Sequence, residues 1–213
     1  METPKNPHSP RYRIREAMDR LAAVLRADEW TRAKAAGINP TQLAILDLLE
    51  ARSDGVSVKM IAAHLGVSQP SATDSINALE KKGHIEKRPS TMDGRSVSVH
   101  LSPPGKAVLG QDTPIDLTGQ AIASLDASEQ QALLIVLVKM IRSLQENDAI
   151  PVQRMCVTCR YFAPFAHADA ERPHHCHFVN APFGQQDLRV DCRDHEQADP
   201  TSRAATWARF QAG

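Results

Sequence analysis

All four cysteines of this chain lie in its last third, at Cys156, Cys159, Cys176 and Cys192. The first two form a Cys-x-x-Cys step; sixteen residues then separate Cys159 from Cys176, and fifteen separate Cys176 from Cys192. Four thiolates offered by one short step and two later positions match the donor set of a tetrahedral metal site or of an iron–sulfur cluster. The stretch that holds them, residues 152–199, is about fifty residues long and buries too little apolar surface to fold securely by itself. His167, His174, His175, His177 and His195 crowd the cysteines, and every phenylalanine except Phe210 falls between Phe162 and Phe183. A structural metal contributes ~10–16 kcal/mol in small peptides, and aromatic side chains then pack round it as an apolar shell. We therefore expect a small metal-organised module over 152–199. Its ligands are Cys156, Cys159, Cys176 and Cys192, with His174, His175, His177 or His195 as substitutes. Zinc is the expected metal and an iron–sulfur cluster the alternative.

The compartment bears on this reading. Residues 1–13 are polar and proline-bearing, without the apolar core of an export signal. No uninterrupted apolar run reaches the ~18 residues of a membrane helix. A cytoplasmic, reducing location without a membrane is expected, and there clustered thiols read as metal ligands before disulfides.

The amino-terminal part has a different texture. Residues 11–36 carry Ile14, Ala17, Leu21, Val24 and Leu25 at helical spacing, and residues 41–51 form a second, more apolar helix. Ser57 is placed to cap a short helix that Gly66 stops. A second helix opens at Ser68 or Gln69, carries Pro70 in its first turn and ends at Gly83. Two helices joined by a short glycine-bearing turn make a helix-turn-helix. Its expected inward positions are Ile61, Ala62, Leu65, Val67, Ala72, Ile76 and Leu79. Gln69, Ser71, Thr73, Asp74, Asn77 and Lys81 face outward on the second helix, where short polar side chains can reach base edges in a major groove.

Residues 85–88 start a strand, and Val97, Val99 and Leu101 alternate with Ser96, Ser98 and His100. The hairpin so formed, with Asp93-Gly94 at its tip, is a wing. Overall charge is balanced, 25 basic against 25 acidic residues. Between Val56 and Lys106, however, seven basic residues stand against four acidic ones, which suits contact with a polyanion. Lys59, Lys87 and Arg88 are the expected phosphate contacts, and Arg95 at the tip is suited to a minor groove.

Residues 79–88 (Leu-Glu-Lys-Lys-Gly-His-Ile-Glu-Lys-Arg), Asp93-Gly94-Arg95, residues 97–102 (Val-Ser-Val-His-Leu-Ser) and Gly105-Lys106 together resemble the MarR-family winged-helix regulators. The likeness extends over about Arg11–Glu146. It implies a mainly α fold with a small β-wing (α+β) in a winged helix-turn-helix and dimerisation domain over 11–146. It also implies a homodimer on a pseudo-palindromic DNA duplex, one recognition helix and one wing per half-site. Pro103-Pro104 and Pro114 depart from the pattern, since the family's long dimerisation helix would run there. Asp126-x-x-Glu129 reads as a capping box opening a helix whose broad stripe, Leu133 to Leu144, is the expected dimer surface. The tail, with His-His-Cys and Asp-Cys-x-x-His, resembles those of some bacterial MarR-like proteins.

The function implied is a DNA-binding transcriptional regulator, with a four-cysteine metal site that is structural or sensory and a small-molecule or redox effector as its signal. A protein-interaction adaptor and a metalloenzyme are the alternatives. The chain lacks a metalloprotease His pair, the deaminase His-x-Glu step, Gly-x-Ser-x-Gly and any phosphate-cradling glycine loop, so we read it as non-enzymatic.

Overall fold

The computed structural model describes residues 9–52, 54–89, 97–110 and 116–213. The chain divides into two compact units, residues 1–124 and 125–213, where the sequence places a boundary near residue 150.

In the first unit, α1 (Pro10–Ala35) follows the Ser9 cap. Helix α2 (Pro40–Glu50) starts from a reciprocal capping box between Asn39 and Gln42, which satisfies two otherwise orphaned backbone donors. Helix α2 is the core element, burying Leu43, Ile45, Leu46, Leu48 and Leu49. After the short strand β1 (Val56–Ser57), Ser57 caps α3 (Val58–Leu65), and Gly66 ends it at φ +65°, a backbone that side-chain-bearing residues adopt only at a cost. Ser68 caps α4 (Gln69–Lys81), which buries Ala72, Ile76 and Leu79. Strands β2 (Ile85–Pro89) and β3 (Val97–Leu101) pair antiparallel with Lys87 opposite Val99, and the sheet order is β1-β3-β2. The helix-turn-helix and the two arms of its wing are thus in place. Val67, expected inside, is exposed, because it sits in the turn after Gly66. The apolar stripe of α1 is also exposed, at Ile14, Leu21, Val24 and Leu25; among the described residues of α1 only Ala33 is buried.

The exit from the wing rests on two residues. The Ser102 hydroxyl donates to the Gly83 carbonyl at 2.7 Å and accepts from the Gly105 N–H at 3.1 Å. A Cβ at Gly105 would collide with the His84 carbonyl oxygen. Helix α5 (Pro103–Leu109) therefore docks by its glycine, with both prolines in its first turn, where a missing N–H is no loss. Helix α6 (Leu117–Ala123) is held to α1 by Asp28, whose carboxylate accepts from the Thr118 N–H at 3.1 Å and its hydroxyl at 2.9 Å.

The second unit opens with α7 (Ala127–Glu146), which has the expected Asp126–Glu129 capping box. Val138 of α7 joins Met155, Val157, Cys159, Phe162, Leu188 and Phe210 in one core. A 3-10 turn spans Cys156–Thr158. Strands β4 (Phe162–Ala163), β5 (His174–Cys176) and β6 (Ala181–Phe183) form an antiparallel sheet in that order. Helix α8 (Pro200–Ala212), capped by Asp199, closes the core with Phe210 and Trp207. Among the described residues, no single helix is long and apolar enough to cross a membrane.

Candidate functional site

Two surfaces carry the chemistry, one in each unit. The first is the outer face of α4 with β2. Because Ala72, Ile76 and Leu79 point into the core, the residues between them turn outward. Gln69, Ser71, Asp74, Asn77 and Lys81 are exposed and Thr73 is half-buried. Ser71 and Thr73 are partly engaged at home. The Ser71 N–H donates to the Ser68 hydroxyl at 3.3 Å, and the Thr73 hydroxyl donates to the Gln69 carbonyl at 2.8 Å. Lys59, at the start of α3, is exposed.

Strand β2 adds a feature absent from the sequence reading. The Lys87 ammonium donates to the Asn77 side-chain oxygen at 2.6 Å and to a Glu80 carboxylate oxygen at 2.6 Å. The expected phosphate contact is thereby clasped to the expected base-reading residue. Arg88 pairs with Glu86 at 2.9 Å, with both side chains largely exposed. Periodicity places these residues on one outer face, but cross-element pairing of this kind depends on where β2 runs beside α4. Arg95, Asp93 and Gly94 lie outside the described residues.

The second surface is a cleft of about 120 Å³ in the carboxy-terminal unit, walled by Cys156, Cys159, Cys176 and Cys192 together with Phe162, Phe178, Val179 and Phe183. The 3-10 turn delivers Cys156 and Cys159, strand β5 delivers Cys176, and the loop after Leu188 delivers Cys192. That loop is sewn to the knuckle: the Cys156 N–H donates to the Arg189 carbonyl at 3.0 Å and the Cys192 N–H to the Arg154 carbonyl at 2.9 Å. Arg189 also addresses two sulfurs. Its backbone N–H donates to Cys156 Sγ at 3.3 Å, and its guanidinium to Cys192 Sγ at 3.6 Å. Burial pushes the Cys156 thiol up to about 11; the Arg189 N–H works against that rise, while Cys192, Cys159 and Cys176 add to it. The four thiols of the expected ligand set therefore share one space. Among the described residues, no three His, Cys, Asp or Glu side chains are gathered to hold one metal ion.

The histidines lie off this cleft. His174 is fully buried among phenylalanines, edge-on to Phe162 and Phe165 at centroid separations of 5.3 and 4.9 Å. Its Nδ1 accepts from the Phe165 N–H at 3.3 Å, and burial holds its pKa down at about 4. His195 shares a hydrogen bond of 2.9 Å with the Thr158 hydroxyl. His175 Nδ1 and His167 Nε2 stand 3.0 Å apart, and the His177 ring lies 4.7 Å from that of His175.

The family model of the MarR family matches residues 36–96, from the end of α1 to the wing. YkoM of Bacillus subtilis (strain 168), an uncharacterized HTH-type transcriptional regulator, is 31% identical over 105 residues, which span 48% of this chain and 68% of YkoM. The transcriptional repressor MprA of Escherichia coli (strain K12) is 29% identical over 127 residues, spanning 57% of this chain and 72% of MprA. In three dimensions the chain is similar to MepR in the S. aureus MepR–DNA complex. The TM-score is 0.52 at 24% identity, covering 61% of this chain and 96% of MepR.

Proposed function

The chain belongs to the MarR family of transcriptional regulators, and from that premise we propose that it acts as a homodimer gripping duplex DNA with α4 and the wing. The observation that carries this reading is the outward polar face of α4, Gln69, Ser71 and Asn77 above a buried Ala72–Ile76–Leu79 seam. Such a face fits a major groove, and Lys59, Lys81 and Arg88 flank it as phosphate contacts. MepR, similar in fold, is a protein seen bound to DNA.

Dimerisation is supported by apolar surface left uncovered in the single chain. Helix α7 exposes Leu133, Val136, Leu137 and Leu144 opposite its buried Val138, and α1 exposes its own stripe. A second copy is the occupant that the family premise supplies. The four cysteines are proposed to hold a metal centre, zinc or an iron–sulfur cluster, that stabilises the second unit and is structural or sensory. Their common cleft and the two sulfur-directed bonds of Arg189 support that reading.

Fluorescence anisotropy on operator-length duplexes over a salt series tests the DNA reading. Affinity should fall steeply as salt rises, because bound phosphates release counterions. Asn77→Ala should cost about 1–3 kcal/mol at particular base pairs, and Lys59→Ala should weaken binding to all sequences and reduce the salt slope by about one. Equal binding by the wild type and both variants would defeat the assignment. Leu137→Lys should halve the mass seen by light scattering; an unchanged mass removes α7 from the dimer surface.

A further inference from the structure

We propose that Lys87 is a positioning residue for base recognition: by taking the Asn77 side-chain oxygen it leaves that amide only hydrogen-bond donors to offer, so that Asn77 selects guanine over adenine in a major groove. This deepens the proposed grip of α4 on duplex DNA and rests on it.

The chemistry of the neighbour fixes the amide. The Lys87 ammonium stands 2.6 Å from Asn77 Oδ1. An ammonium has three N–H donors and no acceptor, so only the oxygen end of the amide can face it. Asn77 is exposed, and with its oxygen turned to Lys87 the NH2 group is the end left for a base.

Strand β2 builds this contact. Ile85 and Lys87 are two residues apart and share one face of the sheet. Val99 stands opposite Lys87, and both Ile85 and Val99 are buried. The Lys87 stem therefore starts from the core-facing side of the sheet, and its charged head emerges at α4. There Asn77 and Glu80, three residues apart on one helix face, both accept from it at 2.6 Å. Glu80 is thus a second anchor for the ammonium that orients Asn77.

Base chemistry turns this orientation into a preference. An asparagine that reads adenine uses both ends of its amide: the oxygen accepts from N6 and the nitrogen donates to N7. With the ammonium already on Oδ1, the adenine N6 amino group would meet a cation. Guanine presents two acceptors side by side, N7 and O6, and thymine a single one, O4, beside its methyl group. The Asn77 NH2 and the ammonium behind it carry donors only, and guanine is the base edge that matches them.

The test uses the full chain and a pool of random-sequence duplexes, the bound fractions being sequenced for the wild type, Asn77→Ala, Lys87→Met and Lys87→Arg. The position at which Asn77→Ala relaxes the preference is the one Asn77 reads. The wild type should prefer guanine there over adenine by about ten-fold. Lys87→Met keeps a stem and removes the donor, so the preference should move toward adenine at that position and stay as it was elsewhere. Lys87→Arg should keep guanine. A lysine that only touched phosphate would, when replaced, weaken binding to all sequences alike. Should Lys87→Met fail to fold, Asn77→Asp decides: it exchanges the NH2 for an acceptor, and the position should change from guanine to cytosine, whose N4 donates. Adenine preferred by the wild type, guanine retained by Lys87→Met or Asn77→Asp, or no position relaxed by Asn77→Ala overturns the inference and leaves the grip on DNA standing. A wild type that retains no duplex overturns both.

Discussion

The two units of this chain solve the same problem with opposite means. Among the described residues, the amino-terminal unit gathers fifteen buried side chains, all aliphatic and drawn mainly from α2, α3 and α4, with one each from α1, the α1–α2 turn (Ile38), β1, β2 and β3. The carboxy-terminal unit gathers seven, one of them a cysteine, around strands of two or three residues. A fully buried aliphatic side chain contributes about 1.5–3 kcal/mol, so the first core is large enough to hold itself. The second spends its residues on aromatic packing round His174 and on loops pinned by backbone hydrogen bonds. The first core is thus built on helical periodicity, and the second on a few aromatic and aliphatic side chains between short strands and pinned loops.

Removing the proposed metal centre should drive the two units furthest apart in stability. Chelation should remove stabilisation on the order of ~10 kcal/mol from the second unit. Hydrogen exchange read by mass spectrometry should then show fast exchange over Cys156–Phe162 and β5, with α2, α3 and α4 as protected as before. If both units keep their protection, the thiols are not what holds the second one.

A core truncation should act the other way round. Leu46 is fully buried in the first core. Leu46→Ala should cost about 3–5 kcal/mol by lost transfer energy and the cavity left behind. Thermal unfolding followed by calorimetry should show the transition of the first unit lowered and that of the second unmoved. A shift of both together would mean that the units unfold as one.

This contrast also explains how much is legible in the sequence. Helices α3 and α4 can be read because Ser57, Gly66, Ser68, Pro70 and Gly83 each mark a terminus by a local mechanism. The wing is readable through the alternation of Val97, Val99 and Leu101. Gly105 stands out as part of a resemblance, but its cause, the approach of α5 to the His84 carbonyl, is a contact between distant segments. Pro103-Pro104 reads as an obstacle, whereas the structure uses both prolines to start α5 behind the Ser102 cap. Helix α8 escapes the sequence reading; its signal is Asp199-Pro200, a cap followed by a first-turn proline, lying just past the cysteine cluster. The α7 stripe reads as one surface. It is two: Val138, with half-buried Leu134 and Ile141 beside it, serves the second core, and Leu133, Val136, Leu137 and Leu144 face outward. On the cleft side, spacing singles out the four cysteines that line one cleft but not the shape of that cleft. That shape comes from β5, the loop after Leu188 and Arg189, whose contacts no periodicity encodes.

A subtler contrast concerns the DNA face, where the sequence shows charge and the structure shows pairing. Lys87 lies between Asn77 and Glu80 at 2.6 Å from each. With the Lys87 and Glu80 side chains both partly exposed, the ion pair itself is worth about 0–1 kcal/mol, so breaking it should leave the fold intact. Its consequence for DNA is larger than its stability suggests, because Glu80 is a negative charge held beside the proposed phosphate and base contacts. Glu80→Gln removes that charge and leaves the Lys87 ammonium for a phosphate. One added phosphate contact steepens the dependence of log K on log salt by about 0.9. Anisotropy titrations at two salt concentrations should therefore show Glu80→Gln binding more tightly at low salt, with a steeper slope and unchanged preference among base pairs. Weaker binding with altered base preference would mean that Glu80 is needed to keep Lys87 on Asn77, and that Lys87 serves the base contact and not the backbone.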